Sequence, residues 1–400
     1  MSRRRSFRRL SVLLLGSALA LTSSTASAQD VATFHNDNSR SAVQTSEATL
    51  TKSNVNSTLF GKTLTFAVDG DVYAQPLYLA NLTMLDGKLH NVLFVATQHD
   101  FVYAFDANGN NPSAGYLWKK SLLASGETWV SSNDVGTLDI TPDIGITGTP
   151  VVDRGGATLF VVAKSKTTSG TAIFTQRLHA LNLSDGAEKL NGPTAIQATA
   201  NGSIVSFDPF RNNQRPALLL APTPGGKSAN SVFIAWASHG DNGAYHGWVI
   251  SYNSTNISQQ TGVWVDTPNG GQGGIWMSAN GFSSDGSGNI FGASGNGTFD
   301  ANTGGSDYSN SLFKLTASSS GLALTDWFTP FNQASLNGVD LDFGVSGTTL
   351  LPTQSGPISH LLATSDKSGQ IYLVNRDNLG HYNGNTNPDV QDFGDGGYHS

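Results

Sequence analysis

The chain of 400 residues carries 22 basic and 29 acidic residues, a net charge of −7, and no cysteine. Five of its arginines and none of its acids fall in the first 28 residues, so 17 basic residues face 29 acidic ones beyond that point, a net of −12. Such a surface repels phosphate backbones, which excludes nucleic acid as a partner, and the missing cysteines exclude disulfides and a cysteine-linked lipid anchor.

At the start of the chain, Arg3, Arg4, Arg5, Arg8 and Arg9 form a basic head before an apolar run over residues 11–21. Ala26-Ser27-Ala28 then supplies small residues at cleavage spacing. This pattern predicts a signal peptide cut after Ala28 and a periplasmic or secreted protein. The Arg4-Arg5-Ser6-Phe7 stretch also fits the twin-arginine export pattern. The apolar run is too short to span a bilayer, and no later stretch is long enough. Glycine at 45 positions, with charged residues at only 13%, predicts short strands and tight turns, an all-β chain.

Residues 29–59 read as an N-terminal segment, and residues 63–67 as a strand of a ring-closing unit. A unit then recurs in fixed order: an apolar strand, a turn, an alternating strand, a polar turn and a strand with a tryptophan. The copies begin at residues 91–96 and 101–106 with Trp118, and at 157–163 and 177–182 with Leu190 in place of tryptophan. They continue at 231–237 and 247–253 with Trp264, at 289–294 and 311–315 with Trp327, and at 360–364 and 370–375. The three tryptophans fall 12, 11 and 12 residues after the preceding strand. Small-residue turns over 148–153 and 347–352 precede further strands. Four antiparallel strands per unit predict a β-propeller, with a β-sandwich pair as the other architecture. Five blades are visible. The closing run Gly396-Gly-Tyr-His-Ser400 reads as the start of another, predicting an incomplete ring of seven or eight across 60–400.

The strand-then-tryptophan unit, best seen from Phe101 to Trp118, resembles the tryptophan-docking blades of the pyrroloquinoline quinone (PQQ) dehydrogenases. In that family PQQ stacks on an axial tryptophan beside a calcium ion held by Glu, Asn and Asp, and the Asp is the base toward an alcohol. By this resemblance Gly273-Gly-Ile-Trp-Met277 supplies the stacking Trp276. Ser294-Gly-Asn-Gly297 supplies the calcium ligand Asn296, and Asp340-Leu-Asp-Phe-Gly344 the catalytic Asp342, also a calcium ligand. The glutamate ligand falls at Asn242, with Asp241 beside it, and the family's adjacent cysteine pair has no counterpart. Each residue has a structural reading as well. Trp276 suits a core or docking position, Asn296 a left-handed turn, and Asp342 a turn cap.

Elsewhere, His239, Asp241 and His246 cluster with Tyr245 and Trp248 in one loop, as pocket lining or a metal site, without zinc spacing. The Asp106–Asn110 stretch is similar to a calcium loop but lacks the closing glutamate, so it reads as a β-turn. Three functions follow. The foremost is a non-catalytic exported module that binds a protein or polysaccharide through its axial face or top loops. The others are a PQQ- and calcium-dependent dehydrogenase of an alcohol or sugar, and an envelope-assembly scaffold.

Overall fold

The computed structural model describes residues 29–200, 202, 204–389 and 391–394. The expected signal peptide and the closing run 396–400 lie outside the described residues.

Five four-stranded antiparallel meanders follow one another along the chain. Blade 1 is built from Leu77–Thr83, Leu89–Ala96, Phe101–Asp106 and Trp118–Ser121. Blade 2 uses Val151–Asp153, Thr158–Thr167, Phe174–Asn182 and Thr194–Ala195. Blade 3 uses Leu219–Pro222, Asn230–Ser238, Trp248–Asn253 and Asn256–Val265. Blade 4 uses Ser283–Ser284, Asn289–Ala293, Leu312–Ser318 and Gly321–Phe328. Blade 5 uses Thr349–Leu350, Leu361–Ser365, Gln370–Asn375 and Gln391–Gly394. Every repeat read from the sequence is one blade. An additional hairpin-like pair, Glu127–Ser131 with Asp143–Ile144, extends the second strand of blade 2.

The two-residue period of a strand explains the stacking, because alternate side chains serve opposite neighbours. In blade 2, Leu159, Val161 and Ala163 join a core with Val92, Phe94 and Ala96 of blade 1. Phe160 and Val162 turn the other way, onto Val232, Ile234 and Trp236 of blade 3. Phe233 and Ala235 then meet Ile290 and Phe313 of blade 4. Phe291 and Ala293 meet Leu362, Tyr372 and Val374 of blade 5. Middle strands are therefore apolar on both faces, and each such buried side chain contributes about 1.5–3 kcal/mol.

The outer-strand tryptophans of blades 1, 3 and 4 dock each of these blades on the next. Trp118 donates from Nε1 to the Leu183 carbonyl at 2.9 Å, and its ring lies on Gly186. A Cβ on Gly186 would come within 2.8 Å of that ring, and the residue holds φ +68°, so glycine alone suits the position. Trp264 packs on Phe313 of blade 4, and Trp327 stacks on His381 beyond the third strand of blade 5.

The N-terminal segment runs along the innermost strands of all five blades. Val31 exchanges backbone hydrogen bonds with Tyr78, the Ala32 carbonyl accepts from Val152, and Asn38 donates to the Leu220 carbonyl. The carbonyls of Asn38 and Ser39 accept from Ser284 and Leu350. Arg40, fully buried, donates to the Phe282, Leu218 and Phe34 carbonyls and to the Thr33 hydroxyl. Burial pulls its guanidinium down to about 9. Inner strands that share one short segment must converge on a common axis, the arrangement of a propeller.

Residues 63–67 form no strand, contrary to the sequence expectation. Their apolar alternation is used differently. Phe66 stacks on Phe105, and Val68 packs beside it, covering one face of blade 1 with irregular backbone. No helix among the described residues is long and apolar enough to cross a membrane.

Candidate functional site at the axial mouth

The loops that follow the second strand of each blade, or link one blade to the next, bring the candidate residues together. Ser294-Gly-Asn-Gly297 leaves the second strand of blade 4, Asp340–Gly344 lies between blades 4 and 5, and Gly273–Met277 lies between blades 3 and 4. Gly295 is the contact point. A Cβ there would lie 2.3 Å from Asp342 Oδ1 and 3.0 Å from Trp276 Cδ1. The bare Gly295 thus lets carboxylate and indole approach each other across it.

Asn296 donates its backbone N–H to Asp342 Oδ1 at 2.7 Å and its Nδ2 to Asp340 Oδ1 at 2.8 Å. Its Oδ1 accepts from Asn310 Nδ2 at 3.0 Å. Asn310 in turn accepts from the Phe343 amide, so the two loops are locked in register. Gly297 donates to Asn337 on the short helix Gln333–Gly338. Asp342 Oδ2 meets Lys367 Nζ at 2.5 Å, and the same ammonium lies 3.3 Å from Asp340 Oδ2.

Burial pushes the Asp342 carboxyl above the usual carboxylate range, against the pull of the Asn296 amide and the Lys367 ammonium. Lys367 is held above its ordinary value, because the carboxylates of Asp342 and Asp340 outweigh its partial burial. With both carboxylates ionised, the trio carries one positive and two negative charges.

Trp276 differs from the docking tryptophans. Its indole is half-buried and contacts no other aromatic ring among the described residues. The three residues after it, Met277, Ser278 and Ala279, hold φ of 40°, 35° and 75°. Consecutive left-handed non-glycine residues are costly, and such strain gathers at functional segments. Here the Ala279 carbonyl is tied to the Ala217 amide, and the Met277 carbonyl to Asn280. Beneath the segment, Asp266 is fully buried with Oδ1 accepting from the Gly247 amide, and burial raises its carboxyl far above the usual range.

The structure therefore gathers Trp276, Asn296 and Asp342, and leaves Asn242 elsewhere. Asn242 reaches the Gly136 carbonyl with its side chain, and its own carbonyl accepts from Arg211. Its neighbour Asp241 accepts from the Tyr245 hydroxyl at 2.5 Å. Burial pushes the Tyr245 phenol up, with Asp241 and, least, Asp342 adding to that shift. The histidines of that loop do not converge as a metal site. His239 Nε2 accepts from the buried ammonium of Lys164 at 2.6 Å, while His246 Nδ1 faces the Thr267 carbonyl. Burial and the Lys164 charge bring His239 down to about 2, so it stays neutral. At the Asp106 stretch, the Asp106 carboxylate accepts from the Asn108 amide, a turn as expected.

The donor set does not fit a calcium ion. Among the described residues no three His, Cys, Asp or Glu side chains converge on one point. The oxygen of Asn296 is turned to Asn310, and an ammonium lies against both carboxylates. Sequence reasoning missed Lys367, which stands in a tight turn, Asp366 to Gly369. The available signal was its place directly after a second strand, as with Asn296.

Fold and site define an all-β propeller with a polar mouth on its axis. The fold is similar to part of a quinohemoprotein alcohol dehydrogenase from Comamonas testosteroni. That structure superposes with a TM-score of 0.56 at 14% identity, over 92% of this chain and 49% of its own, so the chain spans about half its length. A neuraminidase-like protein of subtype N11 from a flat-faced bat influenza virus and a levansucrase mutant from B. subtilis reach TM-scores of only 0.28 and 0.25. Their identities are 12% over 75% of this chain and 73% of the former, and 9% over 82% of this chain and 88% of the latter. No protein-family model and no curated protein matches the sequence.

Proposed function

We propose that this is an exported propeller that binds a neutral hydroxylated ligand, a saccharide, at its axial mouth without transforming it. The observation that carries this reading is the half-buried indole of Trp276, engaged by no other aromatic ring among the described residues, beside the Asp342–Lys367–Asn296 network. An indole face packs against the C–H face of a sugar ring, and carboxylates accept from its hydroxyls. One ammonium against two carboxylates disfavours an anionic ligand. Export rests on the basic, apolar and small-residue pattern of residues 1–28.

Calorimetric titration with a panel of neutral mono- and disaccharides tests this. Saturable binding is expected, weakened about tenfold or more in Trp276→Ala, which corresponds to about 1.4 kcal/mol. Binding by no member of the panel, or binding unchanged in Trp276→Ala, contradicts it.

A second reading is favoured by Trp276, Asn296 and Asp342 meeting in the order found in PQQ dehydrogenases. An indole face suits a flat quinone, which would supply a hydride acceptor when bound. Trp276 would support its plane, Lys367 would donate to a ligand oxygen, and Asp342 would accept the proton of an alcohol. Quinone-dependent reduction of a dye by alcohols or sugars, lost in Asp342→Asn, would favour this reading over simple binding.

A further inference from the structure

The positive charge at the axial mouth is already part of the chain. Lys367 Nζ lies 2.5 Å from Asp342 Oδ2 and 3.3 Å from Asp340 Oδ2, where an ion bridging the two carboxylates would have to sit. The remaining oxygen donor, Asn296 Oδ1, is spent on Asn310, and Asn296 Nδ2 points a donor at Asp340. Asn242, aligned with an acidic ligand by sequence, is bonded to Gly136 instead. One ammonium offsets one of the two carboxylate charges and occupies the place between them, whereas a calcium ion wants six to eight oxygen ligands.

We propose that Lys367 serves as a built-in cation, so that the axial site binds its ligand with no divalent ion. An ammonium has three N–H groups. Asp342 and Asp340 take two of them. The Lys367 side chain is 38% exposed, which leaves the third for a ligand oxygen. This rests on the axial mouth being the binding site. The geometry selects a ligand with an acceptor oxygen next to a donor hydroxyl, such as a vicinal diol, since the flanking carboxylates take protons while the ammonium gives one.

The test needs no ligand, so its outcome is separable from that of the saccharide titration. The full chain is melted in EDTA and in millimolar calcium chloride, and titrated with terbium while tryptophan-sensitised luminescence is followed. The same is done with Lys367→Ala and Lys367→Gln, two variants at a partly exposed position, so that failure of one to fold leaves the other.

The wild type is expected to melt alike in both buffers and to show no saturable terbium signal. The variants, left with two uncompensated carboxylates, are expected to gain a calcium-dependent rise in Tm of about 3 °C or more and a terbium signal. A saturable calcium or terbium response in the wild type overturns the proposal. So does its absence from both variants, because the carboxylate pair would then not be a place a cation can take.

Discussion

At the residue scale, Arg40 is a charge with no ion-pair partner among the described residues, held by carbonyls from the inner parts of blades 3 and 4 and by its own segment. Its removal strips several buried acceptors of their donors and opens a cavity. Arg40→Ala should lower unfolding free energy by about 3 kcal/mol in urea titrations. A loss below about 1 kcal/mol would mean that water replaces the guanidinium without cost.

His90 lies 2.6 Å from Asp106 and 3.1 Å from Asp86, and the bond to Asp106, together with Asp86, raises its pKa despite burial. A raised folded value means the charged pair stabilises fully below the unfolded value near 6.5, and that this is lost as pH rises through the folded value. His90→Gln should therefore cost about 1 kcal/mol at pH ~5.5 and clearly less at pH ~9. Equal losses at both would show that the pair acts as neutral partners. Glu127 behaves oppositely. Arg177 pulls it down to about 2, so its contribution is present above the ordinary glutamate value and disappears as pH falls toward 2.

Elements in this protein are fixed by their neighbours. The tryptophan spacing was legible because each docking tryptophan must reach across to the next blade, and that distance repeats. Trp118 against Gly186 is the clearest case. Gly186→Ala should destabilise by about 1–3 kcal/mol in thermal or urea melts, from the left-handed φ and the contact with the indole together. A neutral result would mean that Trp118 shifts freely, and that docking does not set blade spacing.

Other elements were not legible. Residues 63–67 alternate like a strand, yet the apolar side chains of Leu64, Phe66 and Val68 cover blade 1 with no partner strand to bond. Asn242 aligned by sequence with a ligand position, but its loop is drawn toward Gly136 and Arg211. Lys367 was invisible because nothing in a turn sequence says which carboxylate the fold will bring to it. Local pattern reports strand and turn, while the charge partners of Lys367 come from a loop 25 and 27 residues away.

For the whole molecule, five inner strands share one N-terminal segment, and the loops after the second strands of blades 4 and 5 meet the links that join blades 3, 4 and 5. An axial site of this kind is assembled only when the blades are stacked. The central claim is that this mouth, with Trp276, Asn296, Asp342 and Lys367, is where the protein meets its ligand. Hydrogen exchange with and without the tightest-binding saccharide of the panel tests it directly. Slower exchange is expected at residues 273–279, 294–297, 340–343 and 366–369, with the outer strands unchanged. Protection confined to the opposite end of the axis, around Asp37, Ser284 and Arg376, would contradict the account.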